Sequence, residues 1–300
     1  MPKLILTFIF IAVTTNAAFS QTPISEANYK VFDARGNLAS VERILDEIGK
    51  TDVVFMGEPH DDAAAHFLEA EIFRRAFEKY GRERKVALSL EMFERDTQIV
   101  LDEYLKDLIT EKKFLDDSRP WTNYKTDYRP LVEFAKANKL NIIAANAPRR
   151  YVNMVSRGGR DSLNTLSPTA KSWLAPLPYG EPSEIYAKKF NALMGGSAEA
   201  SMGLKNILDS QSLWDATMAN SIADFLKQNK NALVVQLNGS FHSENRLGIP
   251  EHLLKYRPNT KFLVVTILYQ DDFQNFDKTK MTGLGDFVIL TDAKIPRSQR

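Results

Sequence analysis

Residues 52–80, DVVFMGEPHDDAAAHFLEAEIFRRAFEKY, decide the fold. Asp52 to Gly57 is a compact apolar run that stops at a glycine. From His66 to Tyr80 the spacing turns helical, with Phe67, Ile72, Phe73, Ala76 and Phe77 set to share one face. An apolar strand, a polar turn and an amphipathic helix make the opening half of a βαβ unit. The turn itself is Gly57-Glu58-Pro59-His60-Asp61-Asp62, whose two aspartates suit the cap of the helix that follows.

The alternation continues outward from this unit. Val86–Leu90 (VALSL), Asn141–Ala145 (NIIAA), Leu233–Leu237 (LVVQL) and Phe262–Leu268 (FLVVTIL) are further apolar runs, and Phe287–Leu290 (FVIL) adds an edge strand. Near-continuous apolar strands separated by helices are what a parallel sheet covered on both faces requires. The expected fold is therefore α/β, a mostly parallel central sheet flanked by helices. Two intervals lack strand patterns. Asp96 to Lys139 carries the aromatic cluster Trp121, Tyr124 and Tyr128; Arg149 to Asn231 carries Pro168, Pro176, Pro178, Pro182 and Gly195-Gly196. The second is too long for a loop and predicts a smaller all-helical insert, about residues 155–212.

Chemistry-bearing residues collect where the strands end. The first run ends in Glu58 and His60, the second in Glu91 and Glu94, the third in Asn146, and the fourth in Asn238-Gly239-Ser240-Phe241-His242. All carboxyl ends of a parallel sheet lie on one rim, so Glu58, His60, Glu91, Asn146 and His242 are expected to face one pocket. Gly57 and Gly239 permit the tight turns this needs. Two histidines and two carboxylates can bind zinc, manganese or iron, or act as a general acid–base pair. No HExxH-type motif decides between them. His66 reads as a helix residue rather than a co-ligand, and His252 reads as helix surface. In QSLWDATMA (211–219), Trp214 and Met218 are expected in the core, with Gln211 and Asp215 turned to the rim or to a neighbouring loop.

Composition removes several alternatives. Among 300 residues there is no cysteine, which excludes disulfides, thiolate metal sites, a cysteine nucleophile and a lipoprotein anchor. Lys and Arg total 39 against 38 Asp and Glu, so nothing supports a nucleic-acid binder. Residues 1–20, MPKLILTFIFIAVTTNAAFS, have the charged start, apolar run and small-x-small ending of a signal peptide. They predict an exported chain, periplasmic or secreted, with the mature protein spanning 21–300.

Five stretches in order, GEPHDD (57–62), LEMFERDTQ (90–98), NAPRRYV (146–152), QSLWDATMA (211–219) and NGSFH (238–242), resemble the ChaN-like haem-binding proteins. These belong to the Haem-binding uptake, Tiki and ChaN superfamily. The resemblance covers about residues 30 to 290. It implies a parallel α/β domain with a helical part, haem in a pocket, and a role in bacterial iron acquisition. Partners so implied are haem, a second copy of the chain and an outer-membrane haem uptake system. A tyrosine suits ferric haem iron, and Tyr179 and Tyr186 of the Pro-rich insert are the preferred candidates. Lys188 and Lys189 would pair with propionates; Met194 and Met202 are alternative soft ligands. Tiki-type metalloproteases and erythromycin esterases suggest an alternative, a hydrolase, metal-dependent or metal-free. It would use Glu58, His60, Glu91 and His242, with a divalent metal as its cofactor if it needs one.

Overall fold

The computed structural model describes residues 24–195 and 202–298. The expected signal peptide and the side chain of Met202 lie outside the described residues. The strands are β1 (Tyr29–Asp33), β2 (Leu38–Ala39), β3 (Val53–Glu58), β4 (Val86–Glu94), β5 (Asn141–Asn146), β6 (Leu233–Gly239), β7 (Phe262–Gln270) and β8 (Phe287–Asp292). The helices are α1 (Val41–Ile48), α2 (Ala63–Tyr80), α3 (Gln98–Leu105), α4 (Glu111–Ser118), α5 (Arg129–Ala137), α6 (Arg149–Gly158), α7 (Pro168–Ser172), α8 (Glu184–Leu193), α9 (Met202–Gln228), α10 (Ile249–Tyr256) and α11 (Lys278–Met281).

One eight-stranded sheet runs in the order β2-β1-β8-β7-β3-β6-β4-β5. From β8 to β5 every neighbouring pair is parallel. The α/β reading holds, with one correction at the end of the chain. β8 is not an edge strand, because β1 pairs antiparallel along it and β2 pairs with β1. The β1–β2 hairpin leaves little sequence signal, because β2 has only two residues and YKVFD carries no long apolar run.

Strand alternation sorts the core into two layers. Val54, Met56, Leu88, Leu90, Val235 and Val265 face α1, α2 and the helices of the β4–β5 interval. Val53, Phe55, Ile143, Val234 and Val264 face α9 and α10, where Met218, Ile222 and Leu253 cover them. Each such side chain taken fully from water contributes about 1.5–3 kcal/mol. Helix α2 is started by Asp62, whose carboxylate accepts from Ala64 N at 2.9 Å and from the Thr291 hydroxyl at 2.5 Å. Its buried stripe is Ala65, Leu68, Ile72, Phe73 and Ala76. Phe67, expected on that stripe, is 42% exposed; five residues before Ile72, it sits about 140° away at 100° per residue.

Between β5 and β6 the described residues form no strand. Helix α9, 27 residues long, joins this region to the sheet. Its Leu213 and Ala216 pack with α6 and the segment through Tyr179, while Met218 to Leu226 cover the strands. No helix of the described residues is long and apolar enough to cross a membrane.

Candidate functional site

Strands β3, β6, β4 and β5 lie side by side, so their carboxyl ends deliver Glu58 and His60, Gly239 and His242, Glu91, and Asn146 to one rim. At β4 the register with β5 slips between Leu90 and Glu94, a bulge that turns Glu91 out of the ladder. Glu91 is fixed there from two sides. Its carboxylate accepts from Gly239 N at 2.7 Å, and its carbonyl accepts from Asn146 Nδ2 at 3.0 Å.

Above this rim opens a cavity of about 1110 Å³. Its walls include His60, Glu91, Asn146, Gln211 and His242, with Met92, Trp121 and Trp214 as apolar surfaces. Arg119, Arg149 and Arg150 stand at its edge. Arg119 and Arg150 pair with Asp96 at 2.8 and 2.6 Å, whereas Arg149 is exposed without an ion pair among the described residues.

The two wall histidines are built alike. His60 Nδ1 meets Glu58 Oε1 at 3.1 Å, and that oxygen also accepts from the Tyr128 hydroxyl at 2.5 Å. His242 Nδ1 meets Asp215 Oδ1 at 2.6 Å, and Asp215 Oδ2 accepts from the Tyr186 hydroxyl at 2.5 Å. Each ring thus has its Nδ1 held by a buried carboxylate, which is itself held by a buried tyrosine. Gly239 separates the rings: a Cβ there would lie 2.7 Å from His60 Nε2 and 3.7 Å from His242 Cδ2. Only a glycine lets the backbone pass so close.

Charge follows from these contacts. Burial pushes the His242 pKa down, but Asp215 and Glu91 outweigh it and hold the ring at about 9, a cation at neutral pH. Burial likewise opposes the charge of Glu58, yet His66, His60 and Tyr128 together keep its carboxyl below the usual range. Burial, reinforced by the adjoining carboxylates, drives the phenols of Tyr128 and Tyr186 well above theirs.

The structure puts His60, Glu91, Asn146 and His242 on the cavity wall, buries Glu58 behind His60 rather than facing the cavity, and places the two insert tyrosines elsewhere. Tyr179 is buried beneath Arg160 and donates to the Asp209 carbonyl at 2.9 Å. Tyr186 lies behind Asp215, one layer back from the cavity. Lys188 is exposed, and Lys189 is held by the Phe241 carbonyl and Glu244 at 2.9 and 3.0 Å. Met194 is 49% exposed. None of these lines the cavity. Trp214, expected in the core, lies partly on the wall, and Met218 is fully buried.

Two histidines depart from the sequence reading. His252 is not helix surface: it is buried between α10 and α9 against Ser212, and burial lowers its pKa to about 4. His66 is helical as expected, yet it reaches Glu58 Oε2 at 3.2 Å and Glu69 Oε2 at 3.0 Å. The sequence shows Tyr128 only as part of an aromatic cluster, with no role at the site, and gives Glu69 none. The i, i+3 spacing of His66 and Glu69 was the available signal.

The family model for "Haem-binding uptake, Tiki superfamily, ChaN" matches residues 44–253. The chain belongs to this family. ChaN of Campylobacter jejuni, in a structure of its cofacial haem binding, is similar at a TM-score of 0.65 and 19% identity, covering 90% of this chain and 100% of that one. That likeness supports the fold of the ChaN family. A mutant of the erythromycin esterase EreC in its open conformation aligns over 88% of this chain and 83% of its own, with a TM-score of 0.48 and 12% identity. A protein from Bacillus cereus aligns over 89% and 95%, with a TM-score of 0.49 and 11% identity. No match arises among curated proteins.

Proposed function

We propose that this ChaN-family chain is an exported protein of bacterial iron acquisition that holds haem in the rim cavity. The observation that carries the reading is the cavity wall: two carboxylate-backed histidines beneath apolar indole surfaces, ringed by arginines. Its volume of about 1110 Å³ exceeds the roughly 300–1,000 Å³ of ordinary small-molecule pockets. The C. jejuni relative, whose structure is that of cofacial haem binding, agrees with this ligand.

The donor set fits the group. His60 is the wall residue suited to the iron, because Glu58 occupies Nδ1 and orients the ring, as carboxylates orient metal-bound imidazoles. His242, a cation beside Glu91, suits an anionic group rather than a metal. Arg149 and Arg150 suit propionates. Tyr179 and Tyr186 would each have to leave a buried partner and ionise against burial. Bound haem supplies redox-active iron; the chain supplies an oriented imidazole, fixed charges and shelter from water.

Titration with haemin is expected to give a saturable Soret shift, weakened and spectrally altered in His60→Ala. Gly239→Ala, which drives the His60 ring from its place, is expected to reproduce that change. Tyr179→Phe and Tyr186→Phe are expected to leave the band unchanged. A band lost in either tyrosine variant and kept in His60→Ala would return the iron to the phenol.

A second reading is favoured by one specific observation. His242 and Glu91 lie on the cavity wall with His242 Nε2 3.8 Å from Glu91 Oε1, and Asp215, buried behind them, holds His242 Nδ1 at 2.6 Å. Such a set can serve acid–base hydrolysis. Ester or peptide turnover abolished in both His242→Ala and Glu91→Gln, without added haemin, would support it.

A further inference from the structure

Beneath His60, away from the cavity, lies a second group of ligand-type side chains. Glu58, His66 and Glu69 are all buried, with one donor atom from each within 4.8 Å of the others. His66 Nδ1 stands 3.2 Å from Glu58 Oε2 and 3.0 Å from Glu69 Oε2. Its other nitrogen, Nε2, donates to the His60 carbonyl at 3.1 Å. That bond directs Nδ1 at the two carboxylates, where it donates to Glu69 Oε2; a metal bound there would take the place of that proton, which leaves to solvent.

Two further observations point to a cation. Glu69 Oε1 is buried with no hydrogen-bond partner, and Glu58 Oε2, likewise buried, makes no hydrogen bond and has the His66 ring 3.2 Å away. Buried carboxylate oxygens without partners are costly unless an ion or water satisfies them. Carboxylates also outnumber the basic side chains about the group, which are His66 and His60. Asp62 and Asp127 adjoin the group, with Asp127 Oδ2 3.5 Å from His66 Nε2, and both are buried. Among the described residues no lysine or arginine forms an ion pair with any of these four carboxylates.

We infer that Glu58, His66 and Glu69 form a structural site for a divalent first-row metal ion under the floor of the cavity. One imidazole and two carboxylates suit zinc or manganese. In tetrahedral sites with metal–ligand bonds near 2.0–2.1 Å, neighbouring donors stand about 3.3 Å apart, close to the 3.2 and 3.0 Å that separate His66 Nδ1 from Glu58 and Glu69. The surrounding layer is in place. The His60 carbonyl holds the ligand ring, and Asn123 Nδ2 donates both to that carbonyl at 2.9 Å and to Asp127 at 2.6 Å. The Ser298 hydroxyl donates to the other Asp127 oxygen at 2.8 Å. Through Glu58, whose Oε1 serves His60 and whose Oε2 serves His66, the ion would fix the floor that positions His60. The site stands independently of the haem reading.

Zinc alone, added to haem-free full-length protein and followed by exhaustive dialysis and elemental analysis, provides the test. The expected result is one zinc ion per chain, with a raised unfolding temperature. Glu69→Gln, which keeps shape and removes a charge, is expected to fold and to lose both the metal and the temperature shift. His60→Ala and His242→Ala are expected to retain it. Failure of the wild-type protein to keep stoichiometric zinc overturns the proposal without recourse to any variant. So does zinc that survives Glu69→Gln and is lost in His242→Ala, since the ion would then sit in the cavity.

Discussion

Asp215→Ala is expected to lower stability by about 3–5 kcal/mol, the usual result of removing one member of a buried charged pair. Asp215 is fully buried in α9 and serves two partners at once, His242 Nδ1 at 2.6 Å and the Tyr186 hydroxyl at 2.5 Å. Alanine leaves the imidazolium with Glu91 alone, 3.8 Å away, and leaves a buried phenol without an acceptor. Urea unfolding checks the figure, and a fall in Tm of about 10 °C should accompany it. Asp215→Asn retains an acceptor and is expected to cost less, about 1–2 kcal/mol. Equal, small effects for both substitutions would mean that the Asp215–His242 pair carries little energy.

The second large effect is a loss of stability with rising pH. His242 has a pKa of about 9 in the folded protein, where burial lowers it but Asp215 and Glu91 raise it more, against about 6.5 in an unfolded chain. A raised folded pKa gives stability that is complete below the unfolded value and lost as pH climbs through the folded one. The difference corresponds to about 3 kcal/mol, lost between roughly pH 6.5 and 9.5. Glu58 works in the opposite sense. Its lowered pKa gives stability that is present above the usual carboxylate range and lost as acid protonates it. Urea unfolding free energies of the haem-free protein at pH 6.5, 8 and 9.5 should therefore fall. The slope should become shallower in His242→Gln without vanishing, because His66, which burial lowers but Glu58 and Glu69 raise to about 10, loses its charge in the same direction; an unchanged slope in His242→Gln would contradict the assignment of His242 as a buried cation.

Most of the rim was legible because it depends on strand ends alone. An apolar run that stops at Gly57 or Gly239 fixes where Glu58, His60 and His242 emerge, and parallel order brings such ends together. What supports those residues was not legible in the same way. Tyr128 reaches Glu58 across 70 positions and Asp215 reaches His242 across 27, contacts set by how helices pack rather than by local spacing. His252 misled for the same reason. The pattern of its own helix was polar enough for a surface, and only the packing of α10 on α9 buries it. The insert tyrosines suit ferric iron by chemistry, and the insert's place in the sequence would set them near the rim. Packing then turned Tyr179 toward the Asp209 carbonyl and Tyr186 toward the Asp215 carboxylate.

Where the iron sits is read from a crystal structure of the haemin-loaded protein with data collected at the iron absorption edge. The anomalous peak for iron is expected inside the rim cavity, bounded by His60, Glu91, Trp121 and Trp214. A peak outside that cavity, or against Tyr179 or Tyr186, would contradict that placement.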